Sequence, residues 1–178
     1  SRFVPTTGDR LRLSYEQVIG DHLFGRVGLG YNWYTTLATD RLDRKSVLAL
    51  RGEGGMIVGD APVFERFYAG GIGSIRGFEY RGVGERDGID DNNIGGDYLI
   101  LVGAEYSYPL YGENLRGHVF IDTGTAGSGG YRMGVGTGVR FTLNLFGPIP
   151  IEFNLAMPVS KDSEDEEQIF SFIVGSIF

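Results

Sequence analysis

The chain has 178 residues, of which 42% are apolar, 30 are glycine and none is cysteine. This length allows one ordinary domain or one small barrel, and the lack of cysteine excludes disulfides, thiolate metal sites and cysteine nucleophiles. With 16 basic and 23 acidic residues the net charge is −7, which argues against a nucleic-acid-binding protein.

Alternation of apolar and polar residues with period two recurs along the chain, whereas helical periodicity is nearly absent. This alternation predicts eight β-strands, most of them long enough to cross a bilayer at a tilt, which takes about 9–11 residues. In chain order they are residues 10–19, 23–34, 46–57, 97–108, 115–123, 131–145, 149–159 and 168–178. Residues 57–96 form a connection far longer than is usual in a compact domain, which predicts a functional loop.

One face of the predicted strands is apolar, and the other carries glycine, arginine and glutamate. Val102 and Tyr106 lie on the apolar face of the fourth strand, opposite Gly103 and Glu105. Glycine fits a narrow lumen crowded with long charged side chains, and aromatic residues near the strand ends fit membrane-interface girdles. We therefore predict a single all-β domain over residues 1–178, an eight-stranded antiparallel transmembrane β-barrel with one long external loop. A soluble sandwich or lipocalin-like barrel is the alternative.

Three segments stand out in the order in which they occur. The long loop contains an aromatic-Tyr-Ala-Gly-Gly stretch at residues 67–71, followed by Ile75-Arg76-Gly77-Phe78. A strand then contains Phe120-Ile121-Asp122-Thr123-Gly124, and the final strand carries alternating apolar residues, namely Phe170, Phe172, Val174 and the terminal Phe178. In this order the segments resemble those of the BamA-type outer-membrane assembly proteins, the bacterial surface antigen family.

The resemblance implies roles for these residues. In the family the loop folds back and its arginine contacts acidic groups on the barrel wall, which makes Glu105 and Asp122 the candidate partners of Arg76. The final strand is similar to the C-terminal insertion signal of outer-membrane barrels. In the alternative interpretation, these charges only balance a crowded lumen together with Arg26, Arg51, Glu53, Arg140 and Glu152.

The family barrel has sixteen strands and is preceded by periplasmic domains, so the chain resembles only its C-terminal half. The chain opens at Ser1 without a methionine or signal peptide, which predicts a processed protein or an excised piece. A closed eight-stranded barrel has no room inside for a forty-residue loop. Either the loop sits over the mouth of the barrel, or the chain is not a simple closed barrel.

The resemblance implies a non-enzymatic function: the C-terminal barrel segment of a bacterial outer-membrane factor that inserts or translocates β-barrel clients. Its partners would be the lipid bilayer, unfolded outer-membrane proteins and other assembly subunits, with no nucleic acid, cofactor or metal. A stand-alone barrel acting as anchor, adhesin or surface antigen is the alternative. An outer-membrane enzyme using His118 and Asp122 ranks third, and the acidic residues 164–167 are predicted to form a solvated loop.

Overall fold

The protein is built almost entirely from antiparallel strands. A computed structural model describes residues 5–89, 92–112, 114–144 and 148–175. Within that part of the chain, no helix is long and apolar enough to span a membrane. The strands are β1 (Gly8–Ile19), β2 (Leu23–Thr39), β3 (Lys45–Gly59), β4 (Gly77–Phe78), β5 (Glu85–Arg86), β6 (Asn93–Gly95), β7 (Tyr98–Tyr111), β8 (Leu115–Ala126), β9 (Arg132–Asn144), β10 (Pro148–Ser160), β11 (Glu167–Gln168) and β12 (Phe170–Val174).

Eight of these strands form one sheet in the order β1-β2-β3-β7-β8-β9-β10-β12. Each strand pairs antiparallel with the next along the chain, as the alternation and short connections predict. The bounds differ most for the second strand, which continues to Thr39, and for the last. The last strand was predicted over residues 168–178, but β12 covers only Phe170–Val174, and residues 176–178, including Phe178, lie outside the described residues.

The predicted closed eight-stranded barrel is wrong for this chain. Among the described residues β1 pairs only with β2 and β12 only with β10, so the sheet has two free edges. A closed barrel of this size would also lack space for the long loop. An eight-stranded barrel is just filled by its own side chains, whereas here the segment between β3 and β7 lies against one face of the sheet. The open sheet leaves room for the loop on that face.

The two faces of the sheet have different environments. The inner face, on which the loop lies, buries Leu99 and Leu101, which are 6% and 3% exposed. The outer face is apolar and uncovered, and Val102, which follows Leu101 in the strand, is 53% exposed. Other exposed apolar residues of the outer face are Val27, Leu29, Tyr31, Val119, Ile121, Val139, Phe153 and Leu155.

The loop between β3 and β7 is folded and packed on the inner face rather than extended away from the sheet. Backbone bridges join Phe67 to Gly96 and Ala69 to Val83, so the loop is closed at its base. Its apolar residues form one cluster with the sheet, composed of Ala69, Ile75, Phe78, Val83, Leu99, Leu101 and Ala126. Because burying a side chain such as Ile75 or Phe78 contributes roughly 1.5–3 kcal/mol, the loop is held firmly and its motif has a fixed position.

Candidate functional site

The loop motif lies beside two acidic residues of the inner face. Arg76 donates from Nε to Asp122 Oδ2 at 2.7 Å and from Nη2 to Asp122 Oδ1 at 3.3 Å. Its Nη1 donates to Glu105 Oε2 at 2.9 Å. The planar guanidinium therefore binds Asp122 in a fork and uses its remaining donor on Glu105. The Asp122 side chain is 2% exposed and that of Arg76 is 11% exposed, so water screens these pairs little.

A second arginine extends this arrangement into a network. Arg140 donates from Nη2 to Glu105 Oε1 at 2.9 Å and from Nε to Glu152 Oε2 at 2.8 Å. Glu105 thus bridges two arginines, one from the loop and one from β9. The network contacts the loop motif directly through Arg76. The alternative interpretation, in which the charges only balance one another in a crowded lumen, does not require such a contact.

Arg51 on β3 is a third arginine of the network, and the sequence analysis assigned it no specific contact. Its guanidinium donates to the Gly73 carbonyl at 2.9 Å and the Ser74 carbonyl at 2.6 Å, both in the loop. It also reaches Asp122 Oδ1 at 3.4 Å. The strand register explains this contact, because Arg51 and Asp122 both pair with Gly103. A Cβ on Gly103 would lie only 2.8 Å from Asp122 Oδ1, so the glycine leaves room for the pair.

Two contacts fix the orientation of the motif against the sheet. The Arg76 guanidinium lies 3.4 Å from the centre of the Phe120 ring, which adds a cation–π contact on β8. Gly77 has φ +101°, a conformation open to glycine, and its backbone lies against Met157 on β10. The motif backbone therefore lies directly on the sheet.

Gly134 on β9 is the contact point for the Arg76 backbone. A Cβ at Gly134 would overlap the Arg76 carbonyl oxygen. We expect Gly134→Ala to push the motif off the sheet at a cost of about 1–3 kcal/mol, seen as faster tryptic cleavage after Arg81 and Arg86. Gly52→Ala is the matched control, because a Cβ there would meet no atom within 4 Å. Equal cleavage of the two variants would contradict this close contact.

His118 lies next to Glu152, which belongs to the network. His118 is fully buried, and its Nε2 lies 2.7 Å from Asn154 Oδ1 and 3.6 Å from Glu152 Oε1. Glu105, His118 and Glu152 place one potential ligand atom each within 4.8 Å of one another. A divalent cation fits poorly here, because guanidinium groups already bind both carboxylates and would repel it. The arrangement is that of an ion-pair network.

The acidic segment after β10 is exposed at Glu164, Glu166 and Glu167, as its composition predicts, but not at Asp165. Asp165 is only 8% exposed and forms an ion pair with the buried Arg132 of β9. The following residues, Glu167 and Gln168, form β11 and pair with β4 in the loop. Composition alone suggested solvent exposure because four acidic residues are adjacent. It carried no signal for the buried arginine on another strand.

The remaining predicted site residues belong to the outer face of the last strand. Phe170, Phe172 and Val174 are 53%, 60% and 61% exposed. Phe170 and Phe172 both stack on Phe153 of β10, with ring centres 6.4 Å apart. These side chains do not meet the Arg76 network.

Comparisons with known proteins agree with this geometry. The model of the Omp85 superfamily domain matches residues 1–178. The chain belongs to the Omp85 superfamily. This membership confirms the resemblance to BamA-type proteins and the predicted location in the bacterial outer membrane.

Two relatives of this Omp85 chain are named outer membrane protein assembly factor BamA. The one from Nitratidesulfovibrio vulgaris is 30% identical over 172 residues, covering 89% of this chain and 21% of the relative. The one from Neisseria meningitidis is 30% identical over 177 residues, covering 77% of this chain and 22% of the relative. A sorting and assembly machinery component 50 homolog from Xenopus laevis is 26% identical over 187 residues, covering 91% and 39%.

The fold matches that of a larger barrel. The crystal structure of BamA from Haemophilus ducreyi lacking POTRA domains 1–3 superposes with a TM-score of 0.81 at 22% identity. The match covers 96% of this Omp85 chain and 39% of the BamA chain. The chain thus spans only about a fifth of the bacterial relatives' length and less than half of this structure. Its open sheet corresponds to part of a BamA-like barrel.

Proposed function

We propose that this chain is the C-terminal barrel segment of an outer-membrane assembly factor that inserts β-barrel clients without enzymatic chemistry. The names of the bacterial relatives support this role, and so does the superfamily membership. The observation that carries the proposal is the match of the whole sheet to part of a BamA-like barrel, in which β12 is the last described strand and lies at the edge where a further strand can add. A strand with unpaired backbone donors and acceptors is a template for another strand.

The attachment of β12 to the sheet also suits this role. Within the described residues it pairs with β10 from Leu155↔Phe170 to Ile151↔Val174, with one more backbone hydrogen bond at each end, whereas β2 and β3 pair along nearly their whole length. A client strand can therefore add to an edge whose inner attachment is short. The apolar outer face contacts lipid in this proposal, and the Arg76 network holds the loop on the inner side.

Disulfide trapping tests the proposal, because the chain contains no cysteine of its own. The full protein carrying Phe172→Cys would be reconstituted in lipid vesicles with an unfolded client that has one cysteine in its last strand. We expect a disulfide during client folding, because paired strands bring Cα atoms within the 4.4–6.8 Å that a disulfide needs. We also expect faster client folding than in protein-free vesicles.

Val119→Cys is the matched control. Val119 is also exposed on the outer face, at 45% against 60% for Phe172, but its strand β8 is paired on both sides. A client that crosslinks equally to both positions, or that folds no faster with the protein present, would contradict strand addition. The second result would favour a stand-alone anchor or surface antigen instead.

A further inference from the structure

The segment of residues 161–168, here called the clasp, is bonded to the loop motif through its backbone. Glu167 and Gln168 pair with Phe78 and Gly77, and the Glu79 amide donates to the Glu166 carbonyl at 3.0 Å. The carboxyl groups of Glu79 and Glu166 also share a hydrogen bond, which raises the pKa of Glu79. Three consecutive residues of the clasp are thus bonded, in antiparallel order, to three consecutive residues of the loop.

Side chains anchor the clasp to β9 and to a second part of the loop. Arg132 donates to both carboxylate oxygens of Asp165, and its Nη1 donates to the Gly129 carbonyl at 2.6 Å. The same Asp165 carboxylate accepts from the Asp162 amide at 2.7 Å, which shapes the turn of the clasp. From β5, Arg86 donates to the Glu164 carbonyl at 2.7 Å. The clasp is therefore fixed by a buried ion pair as well as by strand pairing.

The clasp is continuous with the edge strand. Only Ile169 separates β11 from β12, and its carbonyl accepts from the Ala156 amide of β10 at 2.8 Å. Because β11 pairs with the loop, β12 starts two residues later than the alternation predicts, at Phe170. The chain thus changes partner, from loop to sheet, within three residues.

We propose that the clasp couples the edge strand β12 to the loop motif, with Arg132 and Asp165 as its positioning residues. Separation of β12 from β10 displaces β11 and, through the β11–β4 pairing, the motif. Release of the motif removes that pairing and so the constraint on the first residues of β12. Such coupling is reciprocal, because each event changes the free energy of the other by the same amount. Its use in client insertion rests on the proposed function, but the coupling itself does not.

A reversible lock tests the coupling. Glu79→Cys with Glu166→Cys would place a disulfide between two exposed, paired positions of the otherwise cysteine-free protein. In the full protein in lipid vesicles, we expect oxidation to slow amide hydrogen exchange of residues 170–174 several-fold, and reduction to reverse the effect. Slower exchange confined to residues 77–79 and 166–168 would overturn the proposal.

Asp40→Cys with Arg44→Cys is the control lock. These residues form a partly exposed ion pair in the β2–β3 turn, and the Asp40 amide donates to the Arg44 carbonyl at 3.0 Å. Oxidation there should leave exchange in β12 unchanged. An equal slowing of β12 by both locks would mean general stabilisation of the sheet and would also overturn the proposal.

Arg132→Gln tests the positioning role. We expect it to raise exchange of residues 170–174 and tryptic cleavage after Arg81 several-fold, and the oxidised Glu79→Cys/Glu166→Cys lock to restore both. Exchange that stays fast after oxidation would show that Arg132 acts only on β9 and would exclude its positioning role. If the lock slows β12 exchange but leaves client crosslinking at Phe172→Cys unchanged, the coupling stands and only its use in client insertion fails. If Phe172→Cys shows no selective crosslinking even without the lock, while the lock still slows β12 exchange, the coupling stands and the proposed function fails.

Discussion

Replacing Arg76 by alanine should destabilise the protein by about 3–5 kcal/mol, the usual cost of removing one partner from a buried ion pair. The substitution leaves Asp122 buried opposite Arg51 alone and leaves Glu105 with Arg140. Arg76→Lys should lose less, because it keeps the charge but not the forked contact with Asp122. Urea unfolding in lipid vesicles measures the loss, and tryptic cleavage after Arg81 reports release of the loop.

Arg66→Ala is the control for this prediction. Arg66 lies in the same loop, but its ion pair with Asp97 is longer, at 3.7 Å, and the Asp97 side chain is 63% exposed. An exposed pair of this kind contributes about 0–1 kcal/mol. If Arg76→Ala and Arg66→Ala lowered the free energy of unfolding equally, the network would not be what holds the loop.

Replacing Val102 by arginine should cost about 2–4 kcal/mol in lipid vesicles, because the side chain would enter the hydrocarbon near the middle of the bilayer. Val102 lies on the bare outer face of β7, close to the midpoint of the strand. On a surface facing water the same change would be nearly neutral, since the valine is already half exposed. The free energy of unfolding in vesicles distinguishes the two cases.

Leu110→Arg is the matched control on the same strand. Leu110 is 47% exposed, close to the value for Val102, but it lies one residue from the end of β7. Near the membrane interface the cost should fall to about 0–1 kcal/mol. Equal tolerance at both positions would mean that the outer face is not in lipid, and the proposed role in a membrane barrel would lose its basis.

The strand pattern was largely predictable from the sequence. Alternation placed the eight strands of the main sheet and separated Val102 from Glu105, because side chains on a strand point to opposite faces in turn. The same alternation put Glu105 and Asp122 on one face. The loop motif, with its specific order of residues, pointed to Arg76 as the contact, and the structure places it within 3 Å of both carboxylates.

Contacts between segments that are distant in the chain were harder to predict from the sequence. Arg51 was one charge among several in the sequence, and only the register of three strands across Gly103 sets it beside Asp122. Asp165 was one of four adjacent acidic residues, and its burial depends on Arg132 some thirty residues earlier. In both cases the decisive partner is remote in the chain, and its position is set by strand pairing.

The alternation of apolar and polar residues by itself determined that this protein is an antiparallel meander with one apolar and one charged face, because period-two alternation is a property of each strand alone. Tertiary structure decided that the loop lies on the inner face and that the last connection pairs with the loop before the chain enters β12. These outcomes depend on how much volume the folded loop takes up against the inner face and on which backbone groups lie nearest. Both the space beside the inner face and the neighbouring backbone groups are defined only once the strands have assembled into the sheet.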